Sequence, residues 1–339
     1  MNPISRLSKQ ATHCTRFGFA IAAAAALCTS VGVRAQSSAA IQTAQRQFNA
    51  GNYAAAISTL QPLAQGNSSN AEAFYWLARS YYEIADYDNA VADGEKAVSL
   101  DPKNSIYNQW LGREYGGKAD RDRSFSLAKK VKKQFQTAVS LDPSNVEARR
   151  DLEEFCLDAP WIVGGSKDEA LEQVNAIAAI DPVQGHLARA LYYQEGMKKT
   201  ADAENEIRQA LDAPKTPEPY FEAANFFEHE NRPTDMTAAI QGAAQTSPSD
   251  PRLDYYRGVV AVLSNANLAN GERDLKSYLA STPDRSDWPS HASARIWLGR
   301  LYEAQGDKPE AAEQYRAALQ LNPKSKDAQN RLSKLEKSQ

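Results

Sequence analysis

The chain is poor in the residues that build most active centres. Its 339 residues include only 3 cysteines and 4 histidines. Cys14 and Cys28 fall in an N-terminal leader, which leaves Cys156 alone and excludes an intramolecular disulfide beyond it. The remaining histidines, His186, His229 and His291, are isolated, and His229-Glu230 does not continue into the HExxH spacing of zinc peptidases. There is no CxxC pair and no serine nucleophile elbow, and Gly116-Gly117 and Gly164-Gly165 lack the spacing of a phosphate loop. A strong charge of one sign is also missing: the formal net charge is −3, which argues against general nucleic-acid binding. Past residue 35 no apolar run reaches the roughly 20 residues that span a bilayer. These absences predict a non-enzymatic protein with no catalytic residue, no cofactor and no metal. Cys156 lies on an apolar helical stripe and reads as a small core residue.

What is present starts with the leader. Arg6, Lys9 and Arg16 form a basic segment without acidic residues, Phe17 to Val33 is apolar and alanine-rich, and Val33-Arg34-Ala35 precedes Gln36. This is the layout of a cleaved secretory signal over residues 1–35. An uncleaved anchor is the alternative, disfavoured because Thr29 and Ser30 interrupt the run. A lipoprotein reading through Cys28 meets Leu27 where a small residue is wanted. Removing the four basic residues of the leader leaves 35 basic against 42 acidic residues, a formal charge of −7. The expected location is exported, periplasmic or secreted.

From residue 36 onward a pattern repeats. In AEAFYWLARSYYEIADYDNAVADGEKAVSLDPKN (Ala71–Asn104), Leu77, Ala78 and Tyr81 share one helical face, and Ala90, Ala97 and Val98 share a second. Alanine sits where two helix backbones must approach, and Tyr and Leu fill the flanks. A helical hairpin this short cannot bury its own apolar face and must stack on copies of itself. The segment resembles the tetratricopeptide repeat family, with Leu77, Ala78, Tyr81, Tyr87, Ala90, Ala97 and Pro102 at its signature positions. The resemblance recurs at Leu298-Gly299, Tyr302, Gly306-Asp307, Ala311, Tyr315, Ala318 and Pro323, and more weakly in between. Prolines closing units at 102, 143, 182, 248, 283 and 323 give about eight repeats. They fall near 37–70, 71–104, 105–145, 146–183, 184–216, 217–250, 251–284 and 291–325, with a polar capping helix at 326–337. The implied fold is all-α, a right-handed α-solenoid over 36–339.

The spacing breaks three times. Gly116 to Phe135 makes the third unit about two helical turns too long, with Phe125, Ala128, Val131, Phe135 and Ala138 on one stripe, so a lengthened second helix is expected. Lys129, Lys130 and Lys133 lie off that stripe, as a basic docking ridge or a solvated face. Asp158–Ser166 (DAPWIVGGS) places Trp161 in a loop, either exposed as a partner contact or folded back onto a neighbouring repeat. Asp284–Ser290 (DRSDWPS) reads as a packing plug between units, or a hinge. The lengthened third unit and the AP…GG loop resemble a subgroup of exported bacterial members.

The resemblance implies a concave groove lined by first helices. Carried over, its inward positions are Tyr75, Arg79 and Tyr82, then Gln109 and Arg113, Arg150, Tyr192, Phe221 and Asn225, Tyr255 and Arg300, with Trp161 as a separate contact. Aromatic and arginine side chains dominate contact surfaces. The Lys/Asn carboxylate clamp of chaperone-binding members is not matched, since Tyr75 and Arg79 occupy its positions. The implied function is a protein- or peptide-binding scaffold or adaptor of the bacterial envelope, binding through the groove. The alternative is an accessory subunit of a secretion, peptidoglycan or outer-membrane assembly machine that uses its convex face and insertions. The partner is expected to be a protein or peptide, not nucleic acid, with no membrane span left after leader removal.

Overall fold

The computed structural model of the chain describes residues 37–65, 68, 70–212 and 214–337; the leader expected at 1–35 lies outside them. All regular structure among these residues is helical. Eight antiparallel hairpins follow one another: α1 (37–49) with α2 (Tyr53–Leu60), α3 (Ala71–Glu83) with α4 (Tyr87–Leu100), α5 (Ser105–Asp122) with α6 (Phe125–Leu141), and α7 (Val146–Asp158) with α8 (Lys167–Ile180). Then come α9 (Pro182–Leu191) with α10 (Thr200–Ala210), α11 (Glu218–His229) with α12 (Pro233–Thr246), α13 (Arg252–Ser264) with α14 (Leu268–Ser281), and α15 (His291–Gln305) with α16 (Lys308–Leu321). The last helix, α17 (Lys326–Lys337), packs on α16. The array is an α-solenoid of tetratricopeptide-type units. No described helix is long and apolar enough to cross a membrane.

Local chemistry sets the helix starts. The side chains of Asn70, Asp86, Asn104, Ser124, Asn145, Ser166, Ser290 and Asp307 each accept the backbone N–H of the third residue onward. Each such cap stabilises its helix by about 1 kcal/mol. The inter-helix turns need left-handed backbone, met by Gly51 and Gly306 at φ +73° and +82° and by Ala85 at +58°. Asp181 caps α9 while Pro182 occupies its first turn. Pro182, expected to end the fourth unit, therefore opens the fifth, and α8 runs into α9 with only Asp181 between them.

Packing depends on small residues. Ala78, Ala90, Ala188, Ala203, Ala243, Ala311 and Ala318 are fully buried at hairpin contacts. Gly112 lies under the Phe135 ring, Gly258 under Leu275 and Gly299 under the Tyr315 ring, each with no room for a Cβ. The apolar core is thus a layer running the length of the array, from Ile41 and Phe48 through Leu111, Val174 and Phe227 to Tyr315 and Leu335. Cys156 is buried in it. In the third unit both helices are long, 18 and 17 residues against 13 and 14 in the second and fourth. The extra turns are shared, and are not confined to the second helix as the sequence suggested.

The two ends of the array meet. Asp284–Ser290 packs on the seventh unit, where the Tyr278 hydroxyl donates to the Pro289 carbonyl at 2.5 Å and Arg252 lies 5.3 Å from the Trp288 ring centre. The segment also crosses to the first two repeats, where the Tyr53 hydroxyl donates to the Asp284 carbonyl at 3.1 Å. The Glu83 carboxylate accepts the Ser286 N–H and hydroxyl, both at 2.9 Å. Pro283 rests against the backbone of Gly51. Nearby, Lys324 Nζ reaches Asp120 at 3.1 Å. The solenoid is thereby closed into a ring.

Candidate functional site

Inside the ring the first helices surround a cavity of about 990 Å³, roofed by Ser286 to Ser290. Its wall draws on α3, α5, α7, α9, α11 and α13. Of the side chains expected to face a groove, it brings together Tyr82, Arg113, Arg150, Phe221, Asn225 and Tyr255.

Most of these are already held. The Arg113 guanidinium donates to both oxygens of Asp151, at 2.8 and 2.9 Å, and to Glu147 at 3.3 Å. Arg150 donates to Gln184 at 3.0 Å and lies 3.5 Å from Glu222. Phe221 stacks on Tyr256, with the Arg252 guanidinium 4.0 Å from its ring centre. Asn225 is exposed, its side-chain carbonyl accepting the Tyr256 hydroxyl at 2.7 Å. Burial pushes the Tyr82 hydroxyl up to about 12. Burial also raises the Glu228 carboxyl, against the Trp297 indole N–H donated at 3.1 Å.

The others lie elsewhere. Tyr75 is buried. Arg79 is enclosed by aromatic rings, its guanidinium carbon 4.7 Å from the centres of Phe48 and Trp76 and 4.0 Å from Trp110. Gln109 is buried and donates to Asp151 at 2.8 Å. Tyr192 is buried in a π-turn, Tyr192–Gly196. Arg300 lies over the Trp297 ring at 3.7 Å. Trp161 is 84% exposed. In the basic ridge Lys129 and Lys133 are exposed, whereas Lys130 lies 3.6 Å from Glu95 and 4.7 Å from the Tyr115 ring centre; the neighbouring Lys132 donates to the Gly164 carbonyl and to Glu169.

A second, apolar cleft of about 770 Å³ adjoins the cavity and shares Tyr82, Arg113, Asp151 and Glu154 with it. Gly116, Phe125, Ala128 and Phe135 form one side, and Phe155, Ala159, Pro160 and Val163 the other. Glu154 and Asp158 stand one turn apart on the α7 wall, each without an ion-pair partner among the described residues. The surrounding protein, then Asp151 and Asp158, raise the Glu154 carboxyl; burial, then Glu195, raises Asp158.

Sequence reasoning missed three parts of these sites. Trp288 lines the cavity, with Arg252 5.3 Å and Arg285 4.9 Å from its ring centre. A lone tryptophan in a polar insertion was the available signal. Arg252 and the Glu154–Asp158 pair carried no signal separable from ordinary charged helix surface. Among the described residues, no group of three or more His, Cys, Asp or Glu is placed to hold a metal ion.

No curated protein matches the sequence. Among solved structures, the chain is similar to the APC/C hetero-tetramer Cut9–Hcn1, with 11% identity, TM-score 0.49, and 86% of this chain and 54% of that one covered, so it spans about half that protein's length. A tetratricopeptide repeat protein from Parabacteroides merdae gives 15% identity and TM-score 0.49, over 78% and 98% of the two chains. The P58(IPK) TPR domain gives 15% identity and TM-score 0.31, over 89% and 97%. The tetratricopeptide repeat family model matches residues 41–105 and 256–326. The protein is a solenoid of tetratricopeptide-type units, with tetratricopeptide repeats matched towards both ends of its helical array.

Proposed function

We propose that this protein is a non-catalytic scaffold or adaptor that holds a protein or peptide segment in the ring cavity. Helical solenoids present concave surfaces of this kind for binding. One observation carries the reading: inner side chains of six successive units converge on one cavity of about 990 Å³, where aromatic rings alternate with arginines and carboxylates. That mixture suits a polypeptide, whose backbone and side chains need both hydrogen-bonding groups and apolar contact. The leader-like sequence of residues 1–35 supports a role in the bacterial envelope. Exposure of Trp161 favours a second reading, an accessory subunit of a secretion, peptidoglycan or outer-membrane assembly machine that engages partners through its insertions.

A photocrosslinking amino acid at Asn225 in the cavity, and another at Lys129 on the outer face of α6, separate the two readings in envelope extract. The cavity reading expects adducts from position 225 that Arg150→Glu suppresses. Adducts from position 129 alone would replace it with the accessory-subunit reading.

A further inference from the structure

The apolar cleft beside the third hairpin stands apart from the ring cavity in composition and cause. The end of the lengthened α5 is held to the preceding hairpin by Lys118 and Arg121 on Asp88, but part of the face that α5 and α6 turn to the cleft is left uncovered. Gly116 has open space above it, and Phe125 remains 66% exposed. Across the gap Pro160 and Val163 line the cleft, and Trp161, 84% exposed, and Ile162, 58% exposed, stand on the same turn outside its lining. Exposed aromatic and aliphatic groups gathered at one cleft mark interaction surfaces in soluble proteins.

The charges at the cleft choose among occupants. Glu154 and Asp158, at i and i+4 on α7, repel each other and lack a cation of their own. Lys198, whose charge acts on Asp158, is engaged with Glu195 at 2.8 Å. Arg113 is committed to Asp151 and Glu147, and the exposed Arg123 at the α5–α6 turn is the remaining arginine of the lining, outnumbered two to one by Glu154 and Asp158. A cation brought against this wall meets two exposed carboxylates that no ion pair among the described residues satisfies. An anionic lipid surface meets repulsion there.

We propose that this cleft docks an amphipathic segment of a protein partner that places a leucine-like side chain between Phe125 and Phe155 and a lysine or arginine against Glu154 and Asp158. The site adjoins the ring cavity and shares Glu154 with it, but does not require that cavity to bind anything.

Two fluorescein-labelled synthetic peptides with the same leucine face test this on the full chain, one carrying lysine and arginine beside that face and one carrying glutamate. Anisotropy titration is expected to show the cationic peptide bound at least about tenfold tighter. E154Q/D158N should remove most of that preference, and Phe125→Ser, at an exposed position, should weaken both peptides. A control, D168N/E172Q on α8, should leave binding unchanged, and loss of the cationic preference in Asn225→Arg instead would assign the peptides to the ring cavity and overturn the proposal. Failure of both peptides to bind overturns the proposal, as does a preference that survives E154Q/D158N. Binding to phosphatidylglycerol vesicles that depends on Trp161 and not on the two carboxylates assigns the cleft to a membrane surface instead. Loss of Asn225 crosslinks in envelope extract, by contrast, bears only on the ring cavity.

Discussion

Glu153 is fully buried on α7, and neither carboxylate oxygen has a hydrogen-bond partner. The two arginines beside it in sequence turn elsewhere: Arg149 donates to the Pro143 carbonyl and to Gln173, and Arg150 to Gln184. Burial pushes the Glu153 carboxyl up to about 8, against Arg150, which lowers it. A carboxyl raised on folding stabilises the native state fully below its unfolded value near 4.3. That stability is lost as pH rises through about 8, because the unfolded chain releases a proton that the folded one keeps. Glu153→Gln cannot ionise, so it should remove this part of the decline. Urea unfolding at pH 5 and pH 8.5 should show the gap between variant and parent widening in the variant's favour by roughly 2–4 kcal/mol. Parallel profiles would show that the carboxyl finds a partner in solution. The anomaly was legible in part: Glu153 follows Leu152 as Ala78 follows Leu77 and Gly112 follows Leu111, so a charged residue fills a slot built for a small one. Its lack of a partner was not legible, because partners are chosen by side-chain direction across helices.

At the scale of elements, α5 shows how one residue type serves two ends. Gly112 lies against the Phe135 ring of α6, which is itself buried, whereas Gly116, one turn on, meets nothing within 4 Å. Gly112→Ala should therefore destabilise by about 1–3 kcal/mol through overpacking. Gly116→Ala should stabilise by up to about 1 kcal/mol, since alanine is the better helix former. Chemical denaturation of the two variants checks the contrast, and equal effects would mean that Phe135 gives way freely. The pair Gly116-Gly117 also explains why the length of α5 was hidden. Adjacent glycines read as a turn signal, but Gly117 lies under the Tyr87 ring of the preceding hairpin, where packing demands its missing side chain. The apolar stripe of α6 was legible because period 3.6 is written into one segment. The cleft it forms with α7 was not, because its walls come from segments about thirty residues apart.

Across the whole molecule, closure rests on few contacts. Glu83 accepts two hydrogen bonds from Ser286, and Tyr53 donates one to Asp284. At about 1 kcal/mol for each lost bond, Glu83→Ala with Tyr53→Phe weakens the clasp by roughly 3 kcal/mol. Amide hydrogen exchange across residues 284–290 should then quicken by about a hundredfold, while exchange in α15 stays near the parent rate. Exchange unchanged at 284–290 would show that Pro283 on Gly51 and Lys324 with Asp120 suffice to hold the ring. The sequence by itself determined the helices, their pairing and their repetition, because each depends on residues within one unit and its neighbour: a cap, an apolar stripe, an alanine at the crossing. Closure, the cavity beneath it and the release of Arg79 from the groove into a cage of Phe48, Trp76 and Trp110 were decided only in three dimensions. Closure and the cavity depend on how small rotations between units accumulate over the array, a sum that brings residues more than two hundred positions apart into contact; the cage depends on how the first helices of three adjacent units meet.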